Sequence, residues 1–151
     1  KEINSRGLES TGYVYPGQTA KIIKERIAVI KSSSVPSAVV CHAGDVEVRD
    51  VDRSITSVKN DYTELVNTIH TIFPKSRIIL SGLPMVRSSR NFPLQSRISE
   101  LNSHLTSLCD PTKNCVYISN SKSKIKDDIH FTDQSKDLLA RTIAGHVKKC
   151  L

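Results

Sequence analysis

Short unbroken apolar runs alternate along this chain with longer stretches whose apolar residues recur at steps of three and four. Val14-Tyr15, just before Pro16-Gly17, reads as the end of a short strand. From Thr19 to Lys31 the stripe Ile22, Ile23, Ile27, Ile30 predicts a helix, and Ser32-Ser33-Ser34 with Pro36 breaks it. Ala38-Val39-Val40-Cys41 is the kind of continuous run expected of a strand covered on both faces. Between Ser54 and Ile72, the residues Ile55, Val58, Tyr62, Leu65, Val66 and Ile69 give the clearest helical pattern, which Pro74 stops. Arg77-Ile78-Ile79-Leu80 predicts another buried strand, and a polar loop is expected from Ser81 to Pro93. Ile98, Leu101, Leu105 and Leu108 mark a further helix. Cys115-Val116-Tyr117-Ile118 marks a last short strand, and Leu138, Leu139, Ile143 and Val147 line one face of a final helix.

This rhythm predicts an α/β protein with a flavodoxin-like parallel sheet between helices, a three-layer α/β/α arrangement. The 151 residues suffice for one domain, residues 1–151, with a sizeable core. In such sheets, sites form where the strands end at their carboxyl edge. Pro16-Gly17, His42-Ala43-Gly44-Asp45 and Ser81-Gly82-Leu83-Pro84 each follow a predicted strand. So does Asp127-Asp128-Ile129-His130. Everything with potential chemistry therefore gathers at one edge.

The last of these segments is the most informative. Asp127 precedes His130 by three residues on a predicted loop. At that spacing the carboxylate can accept a hydrogen bond from one imidazole nitrogen and leave the other free as a general base. The alternative is an ordinary surface Asp and His at a helix start. A pair of this kind is two thirds of a nucleophilic triad.

Composition adds bounds. The chain is 38% hydrophobic and 25% charged, as a globular protein is and a disordered one is not. No apolar run reaches membrane-spanning length and no signal peptide opens the sequence, so no membrane partner is expected. A net charge of +7 favours an anionic partner, RNA first, or describes a basic surface that binds nothing. Only Lys122, Lys124 and Lys126 cluster tightly, and no aromatic residues interleave them. Cys41 is expected as a buried thiol. Cys109 and Cys115 flank a Pro-containing turn, could pair in an oxidising compartment, and fit no zinc signature. With Cys150 they are read as free thiols in a reducing compartment, the cytoplasm. His42 beside Cys41 suggests a Cys/His pair, but adjacent strand residues point to opposite faces.

Taken together, these segments resemble the SGNH (GDSL-like) hydrolases. More narrowly, they resemble the esterase-type domain in the first open reading frame of LINE-type retrotransposons. Lys1-Glu2-Ile3-Asn4-Ser5-Arg6-Gly7-Leu8 is similar to the stretch just after that family's Gly-Asp-Ser block. Tyr15-Pro16-Gly17-Gln18-Thr19 resembles the second block, Val39 to Asp45 stands in the place of the third, and Asp127-Asp128-Ile129-His130 matches the fifth. The resemblance implies hydrolysis of a small carboxylic ester such as an acetyl ester, with no metal or organic cofactor. His130 would be the base and Asp127 its orienting group. The oxyanion hole would draw on the backbone N–H of Gly17, on Gly44 and on an asparagine amide.

The chain departs from that pattern twice. No serine in it stands in a Gly-Asp-Ser context, and Ser5 reads as structural. That block, with the first strand of the sheet, would fall before Lys1. Counted without a gap, Gly44-Asp45-Val46-Glu47 puts Val46 where the asparagine belongs; counted with two residues deleted, the asparagine is missing. A carboxylate of Asp45 or Glu47 near the oxyanion would repel it. Three readings follow. One is a catalytically impaired or inactive esterase-type module used for association or binding. The second is a serine ester hydrolase that works when the upstream serine block is attached. The third is a basic accessory domain for nucleic acid. In this fold family the first strand lies next to the strand ending at Cys41. A strand supplied from outside the 151 residues, or self-association, is therefore expected there.

Overall fold

The computed structural model describes residues 17–30, 35–86, 92–109, 114–126 and 130–149. The strongest pattern in the sequence becomes α3, Ile55–Ile72. Ser54 accepts a hydrogen bond from the Ser57 amide and caps its start. Val58, Tyr62, Leu65, Val66 and Ile69 are buried, one apolar face as the spacing requires. Burial of each such side chain contributes roughly 1.5–3 kcal/mol relative to exposure. Pro74 follows the cap residue Phe73, where it cannot continue the helix. The first helix, α1 (Ala20–Ala28), is capped by Thr19 and packs against α3.

Three strands form one parallel sheet in the order β1 (Ala38–His42), β2 (Arg77–Ser81), β3 (Cys115–Ile118). One face carries Val39, Cys41, Ile78, Leu80 and Cys115, which join the core formed with α1, α3 and α4 (Phe92–Leu108). The other carries Ala38, Ile79 and Ile118, which pack on Leu139, Ile143 and Val147 of α5 (Asp133–Lys148). Helices thus cover both faces, and the expected α/β three-layer arrangement is what the chain adopts.

Several expectations are corrected. β1 is not covered on both faces: Val40 is 37% exposed. Among the described residues β1 pairs only with β2, and α5 packs more on β2 than on β1. The predicted polar loop after β2 begins buried at Gly82, Leu83 and Val86, because it fills the space between the strand end and α4. Pro93 lies in the first turn of α4, where its missing N–H costs nothing. Leu138 is 54% exposed, and the face of α5 turned inward is built on Ala140, Ile143 and Ala144. A short helix, α2 (Asp45–Arg49), follows β1 and had no signal in the periodicity. The strand expected at Val14-Tyr15, together with Cys150, lies outside the described residues.

Candidate functional site at the carboxyl edge of the sheet

β1, β2 and β3 end at His42, Ser81 and Ile118, and the segments after them meet at one rim. Gly44 follows β1 and starts α2 with φ of 115°. A Cβ there would stand 2.8 Å from the Tyr62 hydroxyl and 3.0 Å from Leu101. Both the conformation and the space demand glycine.

Glu47, three residues on, is 1% exposed. Its carboxylate accepts from the Ala20 amide at 3.1 Å, from Arg53 at 3.2 Å and from the Tyr62 hydroxyl at 3.3 Å. Burial pushes its pKa up, against the pull of those donors. The expected repulsion from Glu47 is therefore corrected: its charge is turned inward and met by a cation and two donors. Asp45 pairs with Arg49 at 3.0 Å. The Ala20–Glu47 bond also ties the start of α1 to α2. That brings Gly17, exposed with φ of 69° two residues before the Thr19 cap, to the side of the sheet where Gly44 lies.

His130 is exposed in the loop between β3 and α5. Its carbonyl accepts from the Lys126 amide at 2.9 Å, and Phe131 pairs with Ile125 in an antiparallel bridge. Phe131 packs its ring against His42, centroids 5.6 Å apart and tilted by 44°. The His130 segment therefore reaches the end of β1, two residues from Gly44. Asp127, the carboxylate proposed to orient His130, lies outside the described residues.

Sequence reasoning missed the polar groups that build this rim. Buried Asn120 donates to Ser81 Oγ at 2.8 Å and to the Gly82 carbonyl at 2.7 Å. Ser81 Oγ stands 3.0 Å from His42 Nδ1. Asn102 makes a two-way bond with Leu83, accepting from its amide at 2.8 Å and donating to its carbonyl at 2.9 Å. The partner of His42 is thus Ser81 on the neighbouring strand, not Cys41, whose thiol burial pushes up to about 12. Arg97 on α4 donates to the carbonyls of Glu47, Val48, Asp50 and Arg53. It fixes the far end of α2. Cys109 and Cys115 are free thiols with sulfurs 3.0 Å apart.

No family model and no curated protein matches the chain. Solved structures do match it. The fold is that of two esterases. One is an acetyl esterase, a serine-to-alanine mutant with acetate ion: TM-score 0.67, 16% identity, covering 88% of this chain and 68% of that one. The other is a carbohydrate esterase family 3 from Talaromyces cellulolyticus: TM-score 0.66, 14% identity, covering 98% of this chain and 86% of that one. The chain therefore has the fold of these esterases, and at that identity the likeness is one of fold. Among the described residues no helix is long and apolar enough to cross a membrane, and no three His, Cys, Asp or Glu are grouped to hold a metal ion.

At the opposite edge, where the strands begin, an open cavity of about 410 Å³ is lined by Val35, Pro36, Ser37, Lys75, Arg77 and Asn114. Arg77 bonds Asn114 at 3.0 Å, and the lining holds two cations and no carboxylate.

Proposed function

We propose that this chain is a catalytically impaired or inactive esterase-type domain that serves as an association or binding module, of the kind carried by LINE-type retrotransposon proteins. The observation that carries the reading is the rim itself. An esterase-type fold gathers Gly44 and the His130 segment at one sheet edge, yet the 151 residues hold no Gly-Asp-Ser serine. Val46, 44% exposed, stands where the ungapped count puts the oxyanion asparagine. Removing one such donor typically costs about 10²–10³ in turnover. The buried, fully bonded Glu47 supports that count, because it takes the place of the block's final acid.

The test is hydrolysis of 4-nitrophenyl acetate by the chain and by its His130→Ala variant. Equal rates are expected from the 151-residue chain. A wild-type rate more than about tenfold above the variant would show a working base and overturn the impaired reading. The alternative, a serine carboxylic-ester hydrolase completed by an upstream serine block, is favoured by the retention of Gly17, Asp127 and His130. It predicts His130-dependent turnover once that block is attached.

A second, accessory reading is contact with RNA. The net charge of +7 and the carboxylate-free cavity around Lys75 and Arg77 favour it. Binding of a labelled single-stranded RNA should then weaken steeply with salt, with a slope that counts phosphate contacts. A Lys75→Glu, Arg77→Glu double variant should lower that slope; an unchanged slope would place the contacts elsewhere.

A further inference from the structure

Asn120, Ser81 and His42 form a chain of hydrogen bonds whose direction is set by its hydrogens. The Gly82 carbonyl only accepts, so the Asn120 atom 2.7 Å from it is the amide nitrogen. The same nitrogen stands 2.8 Å from Ser81 Oγ and donates its second hydrogen there. Ser81 is 1% exposed, and among the described residues its hydroxyl has one other partner, His42 Nδ1 at 3.0 Å. The hydroxyl therefore sends its own hydrogen to Nδ1. A neutral imidazole that accepts at Nδ1 carries its hydrogen on Nε2.

The surroundings agree with a neutral ring. Burial pushes the His42 pKa down, while the Ser81 backbone and Asp45, itself paired with Arg49, pull it the other way. Phe131 covers one side of the ring. The residue as a whole is exposed at the end of β1. An N–H held in place by two buried polar groups thus opens onto the rim that holds Gly44 and the His130 segment.

We propose that His42 Nε2–H is a binding donor for the carbonyl or carboxylate oxygen of a carboxylic ester or acid at this rim. It would stand in for the amide donor that Val46 does not supply. The class of ligand rests on the esterase-type reading, whereas the donor rests on the Asn120–Ser81–His42 chain alone.

The experiment is a long-range ¹⁵N–¹H correlation spectrum of the labelled chain at neutral pH, followed by titration with sodium acetate. His42→Ala assigns the signal. The hydrogen is expected on Nε2, and Ser81→Ala should let it redistribute between the two nitrogens. Acetate should shift the Nε2–H resonance. Its affinity should fall about three- to tenfold in His42→Ala, the worth of one neutral hydrogen bond, and recover in His42→Gln, which restores a side-chain N–H. A hydrogen found on Nδ1, donated towards the Ser81 backbone, overturns the proposal. So does acetate binding that leaves His42 unmoved or is as tight in His42→Ala as in the wild type. None of these readouts needs turnover, so loss of the esterase reading and loss of this one remain separate results.

Discussion

Gly44 and Glu47 show how single residues hold the rim together. Gly44 adopts a left-handed backbone against the Tyr62 hydroxyl, which is in turn bonded to Glu47. Gly44→Ala adds a Cβ 2.8 Å from that oxygen and a disfavoured φ together. We expect it to destabilise the fold by about 1–3 kcal/mol, read as a shift in denaturant midpoint at unchanged m-value. Glu47 gives a signature in pH. Its folded pKa is raised, so the folded state holds the proton where the unfolded state has released it. Stability should therefore decline as pH rises from the ordinary carboxylate range through the folded value. Glu47→Gln should remove that component from a plot of melting temperature against pH. A variant with the same slope as the wild type would assign the decline to other groups.

At the scale of elements, the loop after β1 is held from two sides. The Ala20–Glu47 bond fixes the start of α2 to α1, and Arg97 fixes its end to α4 through four carbonyls. Arg97→Ala leaves these carbonyls without their charged donor, and a loss of about 2–3 kcal/mol is expected by chemical denaturation. A loss below about 0.5 kcal/mol would mean that water replaces the guanidinium without cost. The long elements were legible in the sequence because their signal is periodic: the five buried residues of α3 are five of the six the pattern named, Ile55 being only partly buried. The strands were legible as apolar runs. α2 was not, since five residues make little more than one turn and carry no repeat. Leu138 misled because apolar spacing marks a face without saying how close the sheet comes. Ala140 and Ala144 allow the approach on a neighbouring line of the helix. The Asn120–Ser81–His42 chain was illegible for another reason. Its members lie about forty residues apart and meet only through the parallel register of β1, β2 and β3.

At the scale of the whole molecule, the sheet has two edges without a partner strand among the described residues, the outer sides of β1 and β3. β1 bonds to β2 on one side, and Val40 is exposed on its uncovered face. Such an edge is a template for another strand. We propose that in the isolated 151-residue chain a neighbouring copy supplies it. Sedimentation should then give a mass above the 16.7 kDa of one chain at micromolar concentration, and a proline in place of Val40 should lower it. A single-chain mass throughout would argue against association by this edge. The account as a whole depends on His130 keeping a hydrolase-type arrangement at this rim, with one ring nitrogen committed to Asp127. The imidazole hydrogens measure that directly. In a long-range ¹⁵N–¹H spectrum His130 should carry its hydrogen on Nδ1, the reverse of His42, and Asp127→Ala should abolish that preference. A His130 hydrogen on Nε2, unaffected by Asp127→Ala, would contradict the account.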